Sequence, residues 1–131
     1  IIAILAAIAI PAYNQYITES KIAKVTDHYD SAVRIVRSEL AKVAANNARG
    51  GGMEEPAGGD EWIAIIDPDS KSVAPDGGGA GSGFISSGPG NADGAIGVQQ
   101  ASAGALITIT RPDYLGEFGS PAVTTINPLI Q

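Results

Sequence analysis

The stretch IIAILAAIAIPAY at positions 1–13 decides the fold of this chain, because it contains no charge and its one polar side chain is that of Tyr13. Asn46, Asn47 and then Gly50 predict where the helix that starts here ends. Such a helix measures about 68 Å at 1.5 Å per residue, which is longer than a small domain covers. We therefore expect something outside the domain to bury the front half. Between these ends, apolar residues recur at spacings of three and four, as on one face of an α-helix: Ile22, Val25, Tyr29, Ala32, Val33, Val36, Leu40 and Val43.

Pro11 interrupts the backbone hydrogen bonds of this predicted helix. Its nitrogen has no hydrogen to donate, and its ring crowds the carbonyl group of Ala7. We therefore predict a kink or a local loss of helix at Pro11.

Size and composition fit one small folded domain, with or without a protruding element. The chain has 131 residues, of which 44% are hydrophobic, as is typical of folded proteins. Cysteine is absent, which excludes disulfides, thiolate metal sites and cysteine nucleophiles. Because His28 is the single histidine, most nucleophile–base pairs and most zinc sites are excluded too. We expect no enzymatic activity, and we expect His28 to be solvated on a flank of the helix.

Charge is distributed unevenly along the chain. Residues 1–49 carry six basic and four acidic groups, whereas residues 50–131 carry two basic and ten acidic groups. A surface this poor in Lys and Arg does not favour nucleic-acid binding over most of its area, and we predict no specific nucleic-acid partner. The acidic part is interpreted as a solvated outer surface.

The second part of the chain, which holds all seventeen glycines, alternates short β-prone runs with turns. Residues 105–111 give the clearest strand and residues 95–100 precede it as in a hairpin, with further strands predicted at 62–67 and 123–126. The Gly- and Ser-rich run 76–94 is expected to be an exposed or poorly ordered loop. The predicted fold class is α+β: a long kinked N-terminal helix packed on a sheet of roughly four antiparallel strands.

The run IIAILAAIAIPAYNQY at positions 1–16 resembles the N-terminal helix of type IV pilins, with a contiguous match over residues 4–13. In that family a leader is cleaved and an apolar stretch ending in ILAAIAIPAY follows. Alignment on Pro11 implies that about eleven apolar residues precede Ile1 in the family pattern, which would complete the ~20 residues that cross a bilayer. A glycine of the family is Ala3 here, which makes this stretch a better helix former by about 1 kcal/mol.

The resemblance implies a subunit that is anchored in the inner membrane, passes through pilus assembly machinery, and polymerises into an extracellular filament for attachment, motility or DNA uptake. It also implies the pilin fold, with a protruding hydrophobic helix over residues 1–21 and a globular domain over residues 22–131, which comprises helix 22–47 and a glycine-rich loop and sheet at 50–131. Pro11 is the residue expected to produce the helix kink. The expected filament-core residues are Ile1, Ile2, Ile4, Leu5, Ile8, Ile10 and Tyr13.

Other interpretations of the apolar segment are a buried core helix and the remnant of a signal peptide. The unbroken passage into an amphipathic helix argues against a signal peptide. Two further functional hypotheses are a pseudopilin of a type II secretion system and a membrane-anchored module that binds a ligand.

Asp67, Asp69 and Asp76 form a possible calcium site, because oxygen ligands at alternate positions suit Ca²⁺. Lys71 stands where a third acidic ligand would fall, so a solvated turn is the favoured interpretation. Calcium stays an alternative because pseudopilins bind it in their C-terminal region; no other cofactor is expected.

Overall fold

A computed structural model of the chain describes residues 1–116 and 118–130. Helix α1, Ile2–Ala48, is one α-helix of 47 residues, which corresponds to roughly 70 Å. It ends in a Schellman motif, because Gly50 has φ +84° and the amides of Gly50 and Gly51 donate to the carbonyls of Asn47 and Asn46. The predicted end of the helix is therefore confirmed.

The helix is assigned as continuous through Pro11, so the predicted local loss of helix is wrong for this chain. Ala7, Ala9 and Ala12 flank Pro11, and alanine is the strongest helix former, so the helix continues despite the missing amide hydrogen. The predicted kink stays a prediction.

A second helix, α2 (Gly59–Ile66), replaces the strand predicted at 62–67. A short apolar run such as WIAII fits the period of a strand and that of a helix equally well. Asp60 and Glu61 in the first turn favour the helix, and the four-residue spacing places Trp62 and Ile66 together in the core.

Four strands form one sheet in sequence order: β1 (Phe84–Ile85), β2 (Ile96–Gln99), β3 (Ile107–Arg111) and β4 (Ala122–Ile126). The predicted hairpin of β2 and β3 is confirmed, and β4 pairs antiparallel with β3. The expectation of a wholly antiparallel sheet is wrong, since β1 pairs parallel with β2. The connection 86–95 folds back on itself through the bridge between Gly90 and Ala95, so the chain re-enters the sheet in the direction it left.

The glycine-rich run 76–94 is part of the folded domain rather than a freely exposed loop. Phe84 is buried and starts β1. Gly94 has φ +83° and lies so close to Pro75 and Val25 that a side chain would collide with both. Glycine is therefore needed here for close packing on α1.

The core lies between the second half of α1, α2 and one face of the sheet. Helix α1 contributes Val25, Ala32, Val36 and Leu40 to it, as its apolar spacing predicts. The other large buried members are Trp62, Ile66, Phe84, Ile96, Val98, Ile107, Ile109, Tyr114 and Ile126. The chain is thus an α+β protein whose long N-terminal helix packs on a four-stranded mixed sheet.

Candidate functional site

The front segment, residues 1–16 of the chain, is exposed at every position. Half-buried residues begin at Ile17, and the first buried residue is Val25. A helix that is apolar on all sides is normally buried against protein or lipid. The large side chains of the front segment are between 59% and 97% exposed, and they comprise Ile1, Ile2, Ile4, Leu5, Ile8, Ile10, Tyr13 and Tyr16.

Pro11 lies within this exposed surface, five residues before its end. Because it has no amide hydrogen, the carbonyl oxygen of Ala7 lacks its helical partner. The helix therefore lacks one backbone hydrogen bond in the second half of its apolar part, between positions 7 and 11.

A polar contact joins α1 to the glycine-rich run just behind the front segment. Lys21 Nζ lies 2.7 Å from Asp76 Oδ1, and the buried Tyr114 donates its hydroxyl hydrogen to the same carboxylate. The hydrogen bonds from Lys21 and Tyr114 hold the pKa of Asp76 below its usual value. Burial, together with this hydrogen bond, raises the pKa of Tyr114. This contact links α1 to the glycine-rich run close to the point where the front segment leaves the domain.

The three aspartates considered for calcium have other partners. Asp67 accepts hydrogen bonds from the amides of Lys71 and Ser72, and Asp69 pairs with the ammonium group of Lys71. Asp76 binds Lys21, on α1. In the described ranges, 1–116 and 118–130, no three His, Cys, Asp or Glu side chains are grouped as a metal site requires.

His28 is half-buried rather than solvated, so that prediction is wrong. Its ring lies 5.5 Å from the ring of Phe84, and its buried Nδ1 has no hydrogen-bond partner among the described residues. Burial, and to a lesser degree the charge of Lys24, lowers the pKa of His28 below 6.5; the carboxylates of Asp27 and Asp67 oppose this. Phe84, which belongs to the strand β1 that the sequence does not predict, places its ring against His28 on this side of α1.

A second surface feature lies between α1 and β4, at the edge of the sheet, and we call it the α1–β4 groove. It is open, has a volume of about 500 Å³ and is lined by Tyr29, Asp30, Val33, Arg34, Arg37 and Thr124. The hydroxyl groups of Tyr29 and Thr124 are hydrogen-bonded to each other at its floor. Within the described residues, neither arginine forms an ion pair.

Sequence reasoning identified the front segment but not this groove. Arg34 and Arg37 stand three residues apart, which places them on one side of a helix. That spacing was the available signal, but only the pairing of β4 at the end of the sheet reveals what lies opposite them.

Comparison with known proteins gives no family to which the chain is assigned. No family model matches it, and neither a curated protein nor a solved structure matches it significantly. Among the described residues, no helix is both long and apolar enough to be identified as a membrane span. The candidate site therefore rests on the front segment and the groove.

Proposed function

We propose that this chain is the structural subunit of a type IV pilus or a closely related filament, with the pilin fold and no catalytic activity. The observation that carries the proposal is the front segment, an exposed helix whose residues 1–13 are apolar on every side. Burying one Ile or Leu side chain contributes about 1.5–3 kcal/mol, so the six large aliphatic residues together supply on the order of 10 kcal/mol. Copies of the helix that pack against one another bury this surface.

The arrangement of the rest of the chain supports the same function. The second half of α1 is held by the core and by the contact of Lys21 with Asp76, so the front segment extends from a fixed base. The resemblance of residues 4–13 to type IV pilins adds the biological setting: membrane anchoring before assembly, and a surface filament used for attachment, motility or DNA uptake.

Electron microscopy of filaments from cells that make the full chain tests the proposal, with Ile8→Asp as the variant. Ile8 is 69% exposed in the single chain, so the variant folds normally, but a carboxylate in an apolar bundle blocks assembly. Ile8→Leu keeps the apolar surface and retains filaments. Leu129→Asp is the matched control, because Leu129 is an apolar residue of the globular part that is 80% exposed.

Normal filaments from Ile8→Asp would overturn the proposal, as would the absence of filaments from the unaltered chain. Filaments that form without added calcium distinguish a pilus from a secretion pseudopilus.

A further inference from the structure

The α1–β4 groove carries net positive charge, because two arginines and one aspartate line it and neither arginine forms an ion pair within the described residues. Arg34 and Arg37 are exposed, and the closest interaction of Arg34 is a long hydrogen bond, 3.4 Å, to Ser31 Oγ. Asp30 is the one carboxylate among the lining residues. Arg111, at the end of β3, adds to the positive potential near the groove, because its guanidinium carbon lies 6.0 Å from the ring centre of Tyr29.

The groove also lies at an open edge of the sheet. Strand β4 pairs with β3 on one side and is the last strand in the order β1-β2-β3-β4. A partner can therefore approach this edge without displacing a strand.

The opposite sign is concentrated at the other edge. Residues 50–70 contain no Lys or Arg, and their acidic segment, residues 54–61, holds Glu54, Glu55, Asp60 and Glu61. Glu54 and Asp60 are exposed and form no ion pair within the described residues. Helix α2, which carries part of this segment, packs against β1 and β2, at the end of the sheet away from β4.

We propose that the α1–β4 groove of one copy receives the acidic segment 54–61 of a second copy of this chain. The argument is charge complementarity: two unpaired arginines at one edge of the sheet match unpaired carboxylates at the opposite edge. A contact between two different patches is heterologous, so it repeats from copy to copy and builds an open assembly instead of a closed dimer. The inference rests on the proposed filament function and adds the contact that orients neighbouring globular domains.

Two double charge reversals test the contact in the full chain, with filament yield measured by sedimentation and electron microscopy. The groove variant carries Arg34→Glu and Arg37→Glu, and the segment variant carries Glu54→Arg and Asp60→Arg. Each variant on its own should give a filament yield about 2- to 30-fold lower than that of the unaltered chain, which corresponds to the loss of two exposed ion pairs. Lys24→Glu is the matched control, because Lys24 is an exposed base of α1 that lies outside the groove. Circular dichroism checks that each variant is folded.

Mixing the two variants gives the decisive result. Every groove in the mixture is either basic or acidic, and each finds a segment of opposite sign on the other variant, so an alternating copolymer restores the yield. As a second measurement, one cysteine at position 34 and one at position 54, in separate copies of the cysteine-free chain, are expected to cross-link with a short bismaleimide.

The outcomes separate this contact from the filament proposal. Suppose that unaltered chains polymerise. If the segment variant then polymerises equally well, or if the mixture does not regain its filament yield and no cross-link forms, the proposed groove contact is wrong and the filament proposal is unaffected. A groove that binds a free anion or another acidic protein gives this same pattern. If unaltered chains form no filament, both proposals fail.

Discussion

Gln100 holds together the junction between α2 and the end of β2, and its replacement by Leu tests how the domain is stabilised. Its side-chain oxygen accepts hydrogen bonds from Trp62 Nε1, at 2.7 Å, and from the amide of Gly58, at 3.1 Å. Its side-chain nitrogen donates to Glu55 and to the carbonyl of Ala105. The side-chain amide of Gln100 therefore makes four hydrogen bonds, two through its oxygen and two through its nitrogen, to residues 55–58, to α2 and to Ala105.

The expected cost follows from what Gln100→Leu leaves behind. Trp62 is fully buried, and an unpaired buried N–H group costs about 1–3 kcal/mol. The remaining bonds are partly exposed beside an open groove lined by Gly59, Ser86 and Gln100, where water replaces them and they add roughly 1 kcal/mol. We therefore expect the free energy of unfolding to fall by about 2–4 kcal/mol, a large part of the 5–15 kcal/mol of a typical domain.

Urea denaturation measures this change, and fluorescence of the single tryptophan, Trp62, reports directly on the junction. Gln99→Leu is the matched control: Gln99 is exposed and lies one residue away, and we expect its replacement to change stability by less than about 0.5 kcal/mol. A loss below 0.5 kcal/mol for Gln100→Leu would refute the reasoning. In a double-mutant cycle followed by circular dichroism, Trp62→Phe should remove about 1–3 kcal/mol of the effect of Gln100→Leu.

Two further changes test the packing of the glycine-rich run on α1. As the pH falls, the unfolded chain binds a proton at His28 before the folded chain does, because the pKa of His28 in the folded chain lies below 6.5. The melting temperature should therefore fall between pH 7 and pH 5 more steeply in the unaltered chain than in His28→Leu. Parallel pH profiles of the two proteins would contradict this. Gly94→Ala should cost about 2–4 kcal/mol in urea denaturation, because its φ is +83° and its Cβ would lie 2.8 Å from Pro75 Cδ and 3.0 Å from Val25 Cγ2. Gly52→Ala, with open space around it and no positive φ, is the neutral control, and equal stabilities of the two variants would count against this packing.

The long helix was predictable because two independent signals agree on it. The spacing of Val25, Ala32, Val36 and Leu40 selects one face of α1, and the glycines at 50–52 select its end. Strands β2 and β3 were predictable for a related reason, since residues 95–111 combine an alternating pattern with a turn. In each case a local rule and a packing requirement favour the same structure.

The failures occur where a local pattern fits two structures. WIAII satisfies both periods, and the acidic first turn of α2, together with the packing of α2 against β2 and α1 that buries Trp62, selects the helix. Phe84 and Ile85 are two apolar residues among glycines and serines, too few for a periodicity to mark β1. The burial of Phe84 depends on contacts with β2, which begins twelve positions later at Ile96. His28 becomes half-buried for the same reason. Long-range pairing of this kind leaves no pattern in the local sequence.

The two surfaces of the candidate site supply different parts of an assembly. The front segment offers a large apolar area, but Ile and Ala on all sides of a helix permit many rotations and registers, because apolar burial has no direction. The α1–β4 groove offers little energy, since exposed ion pairs contribute about 0–1 kcal/mol each, but opposite charges fix orientation and reject like-charged contacts. Residues 50–131 carry ten acidic and two basic groups, so copies that approach through their sheets repel one another. Presenting the arginines of α1 at the β4 edge converts that repulsion into a preference for one arrangement, which a regular filament requires.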